Sequence, residues 1–146
     1  MYNVSKMKKL RKNFLFLCDN AFQGENKKLN IIGIFKVIFV PKLPAIHLKS
    51  TLVGNFEVID KKIKEIDISI DLVDEKRSQV GLSIPPIKIT IPKIKDKKKR
   101  TINFILELGN IKFEKEGNYR YLVRTGSELV GKTSFKVIKK PIKNKA

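Results

Sequence analysis

Residues 126–133 read GSELVGKT, which fits G-x-x-x-x-G-K-[ST], the pattern of a loop that cradles nucleotide phosphates. Such a loop works when a strand delivers its glycines to the first turn of a helix. The free N–H groups of that turn hold the phosphates, and the lysine meets the outer ones. YRYLV before the motif supplies a strand, but TSFKVIKK after it alternates as another strand and runs into Pro141. The spacing therefore predicts a hairpin, with Gly126 and Ser127 as a two-residue turn. Gly131 would mark a bulge or a close backbone approach, and Lys132 would point to solvent, opposite Thr133 and Phe135.

Other reactive residue types are sparse. Cys18 is the single cysteine and His47 the single histidine, too few to build a zinc site or a nucleophile with its base. Cys18 sits in FLFLC and reads as a small core residue. His47 falls on the polar side of its strand and reads as a surface histidine. Glu65, Asp67 and Asp71 share one strand face, with Asp74 and Glu75 in the turn beyond. Paired carboxylates can do acid–base work or bind calcium, but the glycine of a calcium loop is missing and two cations, Lys76 and Arg77, intervene. The acids are expected to meet Lys49 and other cations across neighbouring strands. No catalytic, cofactor-binding or metal-ligating set emerges, and the expectation is a protein that is not an enzyme.

The densest charge lies in PKIKDKKKR, residues 92–100, where Lys93, Lys95, Lys97, Lys98, Lys99 and Arg100 stand against one acid. These six are the candidate polyanion-binding residues, assisted by Lys8, Lys9, Arg11, Lys12, Lys139, Lys140 and Lys143. The competing reading is a solvated charge run beside an edge strand, since no aromatic residue is interleaved for base stacking. The whole chain carries a net charge of +18, a field that favours nucleic acid, anionic lipid or acidic protein. Yet 27 of its 32 basic residues are lysine and only five are arginine, the side chain that reads phosphate and guanine as a fork. AT-rich codons alone would produce much of that excess.

A scaffold of strands must position these residues. Hydrophobic side chains recur every second position in KEIDISIDLVD (64–74), with Ile66, Ile68, Ile70 and Leu72 inward. IHLKSTLVGNFEV (46–58) does so less neatly, placing Ile46, Leu48, Leu52, Phe56 and Val58 inward. IKITI, TINFILEL, NYRYLV and TSFKVI continue the pattern. KLNIIGIFKVIFV (28–40) is apolar on both sides, as a central strand would be, and FLFLC is its expected partner across QGENKK. Pro92 would place its strand at an edge. Seven to nine short strands without helices predict an all-β fold, a single antiparallel β-sandwich of the immunoglobulin-like or fibronectin-like kind. It would span residues 13–138, between a basic N-terminal segment (1–12) and a basic C-terminal tail (139–146). With the longest apolar run, 31–40, half the length of a membrane span and interrupted by Lys36, a cytoplasmic protein is expected.

Two stretches carry likenesses. EGNYRYLV resembles the penultimate strand of immunoglobulin-like sandwiches, which implies Tyr119 as a corner residue and Tyr121 in the core. CDNAFQGENKKLNIIGIF (18–35), followed by Pro41 and Pro44, resembles the opening of a bacterial family known only as a domain of unknown function. Asp19, Leu29, Asn30, Ile31, Ile32, Gly33 and Phe35 carry that resemblance, and the G-x-Y-R segment and Phe135 to Val137 fit it. It implies a β-sandwich and brings no activity, cofactor or catalytic residue. The functional expectation is a non-enzymatic binding or assembly module for an unidentified protein partner. Non-specific nucleic-acid binding through the lysine-rich 93–100 stretch is the alternative.

Overall fold

The structure, a computed structural model, describes residues 8–81, 84–91, 93 and 100–141. In β5 (Glu65–Val73) Ile66, Ile68, Ile70 and Leu72 are buried while Glu65 and Asp67 are exposed. The period-two pattern thus becomes a strand with one dry side. The same alternation builds β8 (Gly117–Thr125) and β9 (Glu128–Lys139). With β3 (Val37–Val40) and β6 (Ile87–Thr90) they form a five-stranded sheet in the order β3-β9-β8-β5-β6. The other sheet has four strands in the order β2-β1-β4-β7: β1 (Leu10–Gln23), β2 (Leu29–Ile34), β4 (Ala45–Val58) and β7 (Thr101–Phe113). The described residues contain no α-helix, only a 3-10 turn at Glu25–Lys27 between β1 and β2. The molecule is all-β with two sheets. Strand β1 begins at Leu10, so the end of the basic 1–12 segment lies in the sheet.

One core joins the sheets. Leu17, Leu52, Phe56 and Phe104 from the first meet Ile68, Tyr121, Phe135 and Val137 from the second. Phe135 stacks on Tyr119 and Tyr121 at centroid separations of 5.7 and 5.5 Å, and Phe113 meets it edge-on at 5.8 Å. The Tyr119 hydroxyl donates to the carbonyl of Lys115 at 2.6 Å, as the corner likeness implies. Desolvation pushes the Tyr119 and Tyr121 phenols up from their ordinary pKa, so both stay protonated.

Three expectations need correction. Residues 28–40 are not one central strand: β2 and β3 are separate edge strands in different sheets. Their double-sided apolarity has another cause, since one side packs and the other stays exposed. The pairing is also not antiparallel throughout, because β3 runs parallel to β9, with Val37 opposite Lys136 and Phe39 opposite Ile138.

The third correction concerns β4. Ile46 and Leu48 are exposed, whereas Ala45 packs on the core and His47 is half-buried opposite Ile111. Alternation changes sides in both partner strands at once. In β7 Leu108 is buried, and two residues on Asn110 adopts φ 54°; beyond it the odd-numbered Ile111 and Phe113 face the core. A left-handed residue turns the side-chain sequence over without breaking the pairing register.

Candidate binding surfaces

The phosphate-loop match is a hairpin. Gly126, at φ 59°, and Ser127 turn the chain between β8 and β9, and the register shifts by one residue beside Val123 and Arg124. Where a nucleotide loop needs a helix, β9 continues as a strand. Gly131 stands at a bulge, since it pairs with Val123 while the next residue, Arg124, pairs with Leu129. Lys132 is exposed, as expected.

Of the six candidate polyanion residues, Lys93 and Arg100 are described, and Lys95, Lys97, Lys98 and Lys99 lie outside the described residues, as does Pro92. Lys93 is exposed. Arg100 is half-buried and donates to the carbonyls of Asp60 at 3.0 Å and Ile63 at 3.3 Å, clamping the turn between β4 and β5. Its fork is occupied by backbone.

The β5 carboxylates form ion pairs, but not with Lys49. Asp71 meets Arg124 at 3.3 Å and Glu65 meets Lys88 at 3.6 Å, while Lys49 lies 3.9 Å from Glu107 on β7. Asp74 accepts from the backbone N–H groups of Lys76 and Ser78, and Glu75 accepts from Asn118 at 2.8 Å, closing turns rather than holding a ligand. A hollow of about 480 Å³ lies beside them, between the 74–81 turn and the Tyr119 corner. Asp74 and Glu75 are committed to these bonds. Among the described residues no group of three His, Cys, Asp or Glu could hold a metal ion.

Cys18 is fully buried with Ala21 and Val53 in a small satellite cluster on the first sheet, covered by Leu29 and Ile31 of β2. Burial pushes its thiol pKa up, which keeps it protonated and unreactive. His47 departs from the surface reading: its ring packs 6.1 Å from Phe35 and its Nε2 is buried without a partner among the described residues. Burial lowers its pKa, against a backbone bond at Lys49 and the charge of Asp19, which raise it. The β1–β2 hairpin owes its shape to Asp19 and Gly33. Gly33 holds φ 68°, and a Cβ there would lie 2.8 Å from the Asp19 Cγ. Only glycine gives both the backbone and the room.

Two surfaces remain to be accounted for. At the hairpin end of the first sheet, Phe22, Ile32, Ile34, Ile46 and Leu48 are between 46% and 74% exposed. Beyond the Cys18–Thr51 pair β1 no longer runs beside β4, so these side chains surround the point where the hairpin leaves the sheet. Lys27, Lys28 and Lys36 flank β2 and are exposed. The second surface is the outward side of the five-stranded sheet. There Lys132 stands opposite Leu122, Ser134 opposite Arg120 and Lys136 opposite Asn118. At its edge Phe39 is 59% exposed with the Lys140 ammonium 5.3 Å from its ring centre. Sequence reading misses this grouping because its members come from strands far apart along the chain, β3 near the start and β8 and β9 at the end.

A family model described as a family of unknown function (DUF6941) matches residues 13–138. No curated protein matches the sequence. Among solved structures, a β-glucosidase from Listeria innocua in complex with glucose is similar at a TM-score of 0.51 and 14% identity, over 91% of this chain and 16% of that one. An alkylpurine DNA glycosylase from Pseudomonas fluorescens bound to DNA containing an abasic site analog has a TM-score of 0.46 and 11% identity, over 89% of this chain and 30% of that one. An immunoglobulin-like protein from Pseudomonas aeruginosa has a TM-score of 0.42 and 10% identity, over 91% and 99%. The chain thus spans less than a third of each of the two enzymes, and at 14% identity the likeness to the β-glucosidase is one of fold alone. Among the described residues no helix is long and apolar enough to cross a membrane.

Proposed function

The chain belongs to DUF6941, a family of unknown function, and from that premise we propose a non-enzymatic, immunoglobulin-like binding module that takes a protein partner at the apolar end of its first sheet. The strand order supports the build: β1-β4-β7 stand as A-B-E and β9-β8-β5-β6 as G-F-C-C′ of such a domain, with Tyr119 at the corner of F. The binding role is carried by one observation, the five large apolar side chains left in solvent at a single end of one sheet. Water penalises such a surface, and a partner that covers it removes the penalty. A second copy is a poor occupant, because two chains of +18 repel one another. The lysines flanking β2 favour instead a partner whose apolar patch has an acidic rim. A cytoplasmic partner fits the expected compartment.

The test is recovery of a stoichiometric partner with the tagged chain from its native host. The complex should survive Lys132→Ser but be lost from the double variant Ile46→Asp, Leu48→Asp. Repeated recovery of free monomer, or a partner indifferent to that double variant, would refute the proposal.

A further inference from the structure

The geometry points to a second site, independent of the protein-partner reading: the outward side of the five-stranded sheet binds single-stranded nucleic acid. Lys132 and Lys136 on β9 and Arg120 on β8 are exposed, and no described carboxylate forms an ion pair with them. The acids of β5 on that side have other partners: Asp71, opposite Leu122, pairs with Arg124 rather than Arg120, Glu65 pairs with Lys88, and Asp67 stands opposite Lys88 at the β6 margin. Strand geometry sets Lys132 and Lys136 about 13 Å apart, with Arg120 beside the midpoint opposite Ser134. The result is a line of cations at regular intervals, suited to the repeating charge of an extended phosphodiester chain.

What turns a charged face into a nucleic-acid site is the aromatic at its edge. The parallel pairing of β3 with β9 sets Val37 beside Lys136 and brings Phe39 onto the same margin. Its ring lies exposed under Lys140. An exposed cation–π contact is weaker than base stacking on an aromatic ring, so an arriving base displaces Lys140 and frees that ammonium for a phosphate. The remaining choice is between a polymer of phosphates and an acidic protein. Protein interfaces are depleted of lysine at their centre, and this face has Lys132 and Lys136 near its middle. Nucleic-acid interfaces are polar and positive. A five-stranded face is broader than the major groove of a duplex, whereas a single strand can lie along β9 with its bases turned to Phe39.

The probe is a fluorescein-labelled twelve-residue oligothymidylate, titrated with the full chain by anisotropy across a salt series. Binding should weaken with salt at a slope of about −0.7 per phosphate contacted. The triple variant Arg120→Ser, Lys132→Ser, Lys136→Ser should flatten that slope by about 2. Phe39→Ala should weaken binding about tenfold with the slope unchanged, a signature that charge alone does not produce. Melting curves of both variants establish that they are folded. No binding at about 50 mM salt would overturn the proposal. So would triple-variant binding equal to wild type, which would place the contacts elsewhere, including 93–100. An unaffected Phe39→Ala, with polyglutamate competing as well as the oligonucleotide, would reduce the site to general attraction for acids and overturn it too. None of these results bears on the apolar end, whose own test uses Ile46 and Leu48.

Discussion

The two sheets share one core yet treat their outward sides in opposite ways. The five-stranded sheet keeps its alternation along β8, most of β5, and β9 beyond Gly131, so the outward side of these strands is mostly polar and basic and their inward side apolar. The four-stranded sheet loses alternation near one end, where Gly33 and Asn110 take left-handed conformations. There the hairpin builds a satellite cluster around Cys18 and Val53 while isoleucines and Leu48 are turned out into water. A single left-handed residue in a strand costs little pairing but exchanges the two sides beyond it. The difference teaches that the exposed apolar end is a consequence of backbone handedness rather than of composition.

The largest effect should come where the sheets are alike, in the shared core. Phe135→Ala removes the ring that joins Phe113, Tyr119 and Tyr121 and should cost about 3–5 kcal/mol in urea unfolding. Ile32→Ser and Leu48→Ser, at exposed apolar positions, should change stability by no more than about 0.5 kcal/mol each. If both sets cost alike, the apolar end is buried and the contrast between the sheets disappears.

Next in size is the origin of the contrast. Gly33→Val forces a β-branched residue into the left-handed region, at about 1–3 kcal/mol, and drives its side chain into Asp19. The hairpin should lift and uncover Cys18, so the thiol should react with a disulfide reagent many times faster than in the parent chain. A variant that loses stability while Cys18 stays protected would mean that the hairpin is held without that glycine.

Left-handed residues such as these also mark what the sequence reveals and what it hides. β5, β8 and the part of β9 beyond Gly131 are legible because their side chains alternate, and GSELVGKT is legible as a turn because a strand follows it. The sides of Ile46, Leu48 and His47 are not legible, because Asn110 decides them from the partner strand, far along the chain. The division of 28–40 into two edge strands depends on Phe35, whose N–H donates to the carbonyl of Leu17 before the chain crosses to the other sheet. That is a tertiary hydrogen bond with no periodic signature. The basic face is hidden for the same reason, since register across β3, β9 and β8 assembles it. The lysine run at 93–100 stands out by composition, yet its arginine is engaged by Asp60 and Ile63.

A smaller test concerns the corner that closes the five-stranded sheet. Tyr119→Phe removes one hydrogen bond to Lys115 and keeps the ring stack, so it should cost about 1 kcal/mol. A cost near zero would make the corner a packing feature only, and the rigid side of the comparison would rest on the rings alone.

The smallest effect should be the pH dependence at His47, the one histidine of the chain, at the open end. Burial beside Phe35 holds its pKa below the ordinary 6.5, so the unfolded chain takes up the proton first as pH falls. Between those two values the unfolded state binds more protons than the folded state, and unfolding free energy therefore rises with pH. The contribution of His47 is complete above 6.5 and is lost as pH drops through the lower, folded value. Replacing it by Phe should remove that part of the slope and leave the steeper loss at carboxylate pH values in place. Urea midpoints measured from about pH 7.5 down to about 5 on both chains decide the matter. Parallel curves would show that the imidazole is as wet as in the unfolded chain, and that the side exchange at Asn110 stops short of β4.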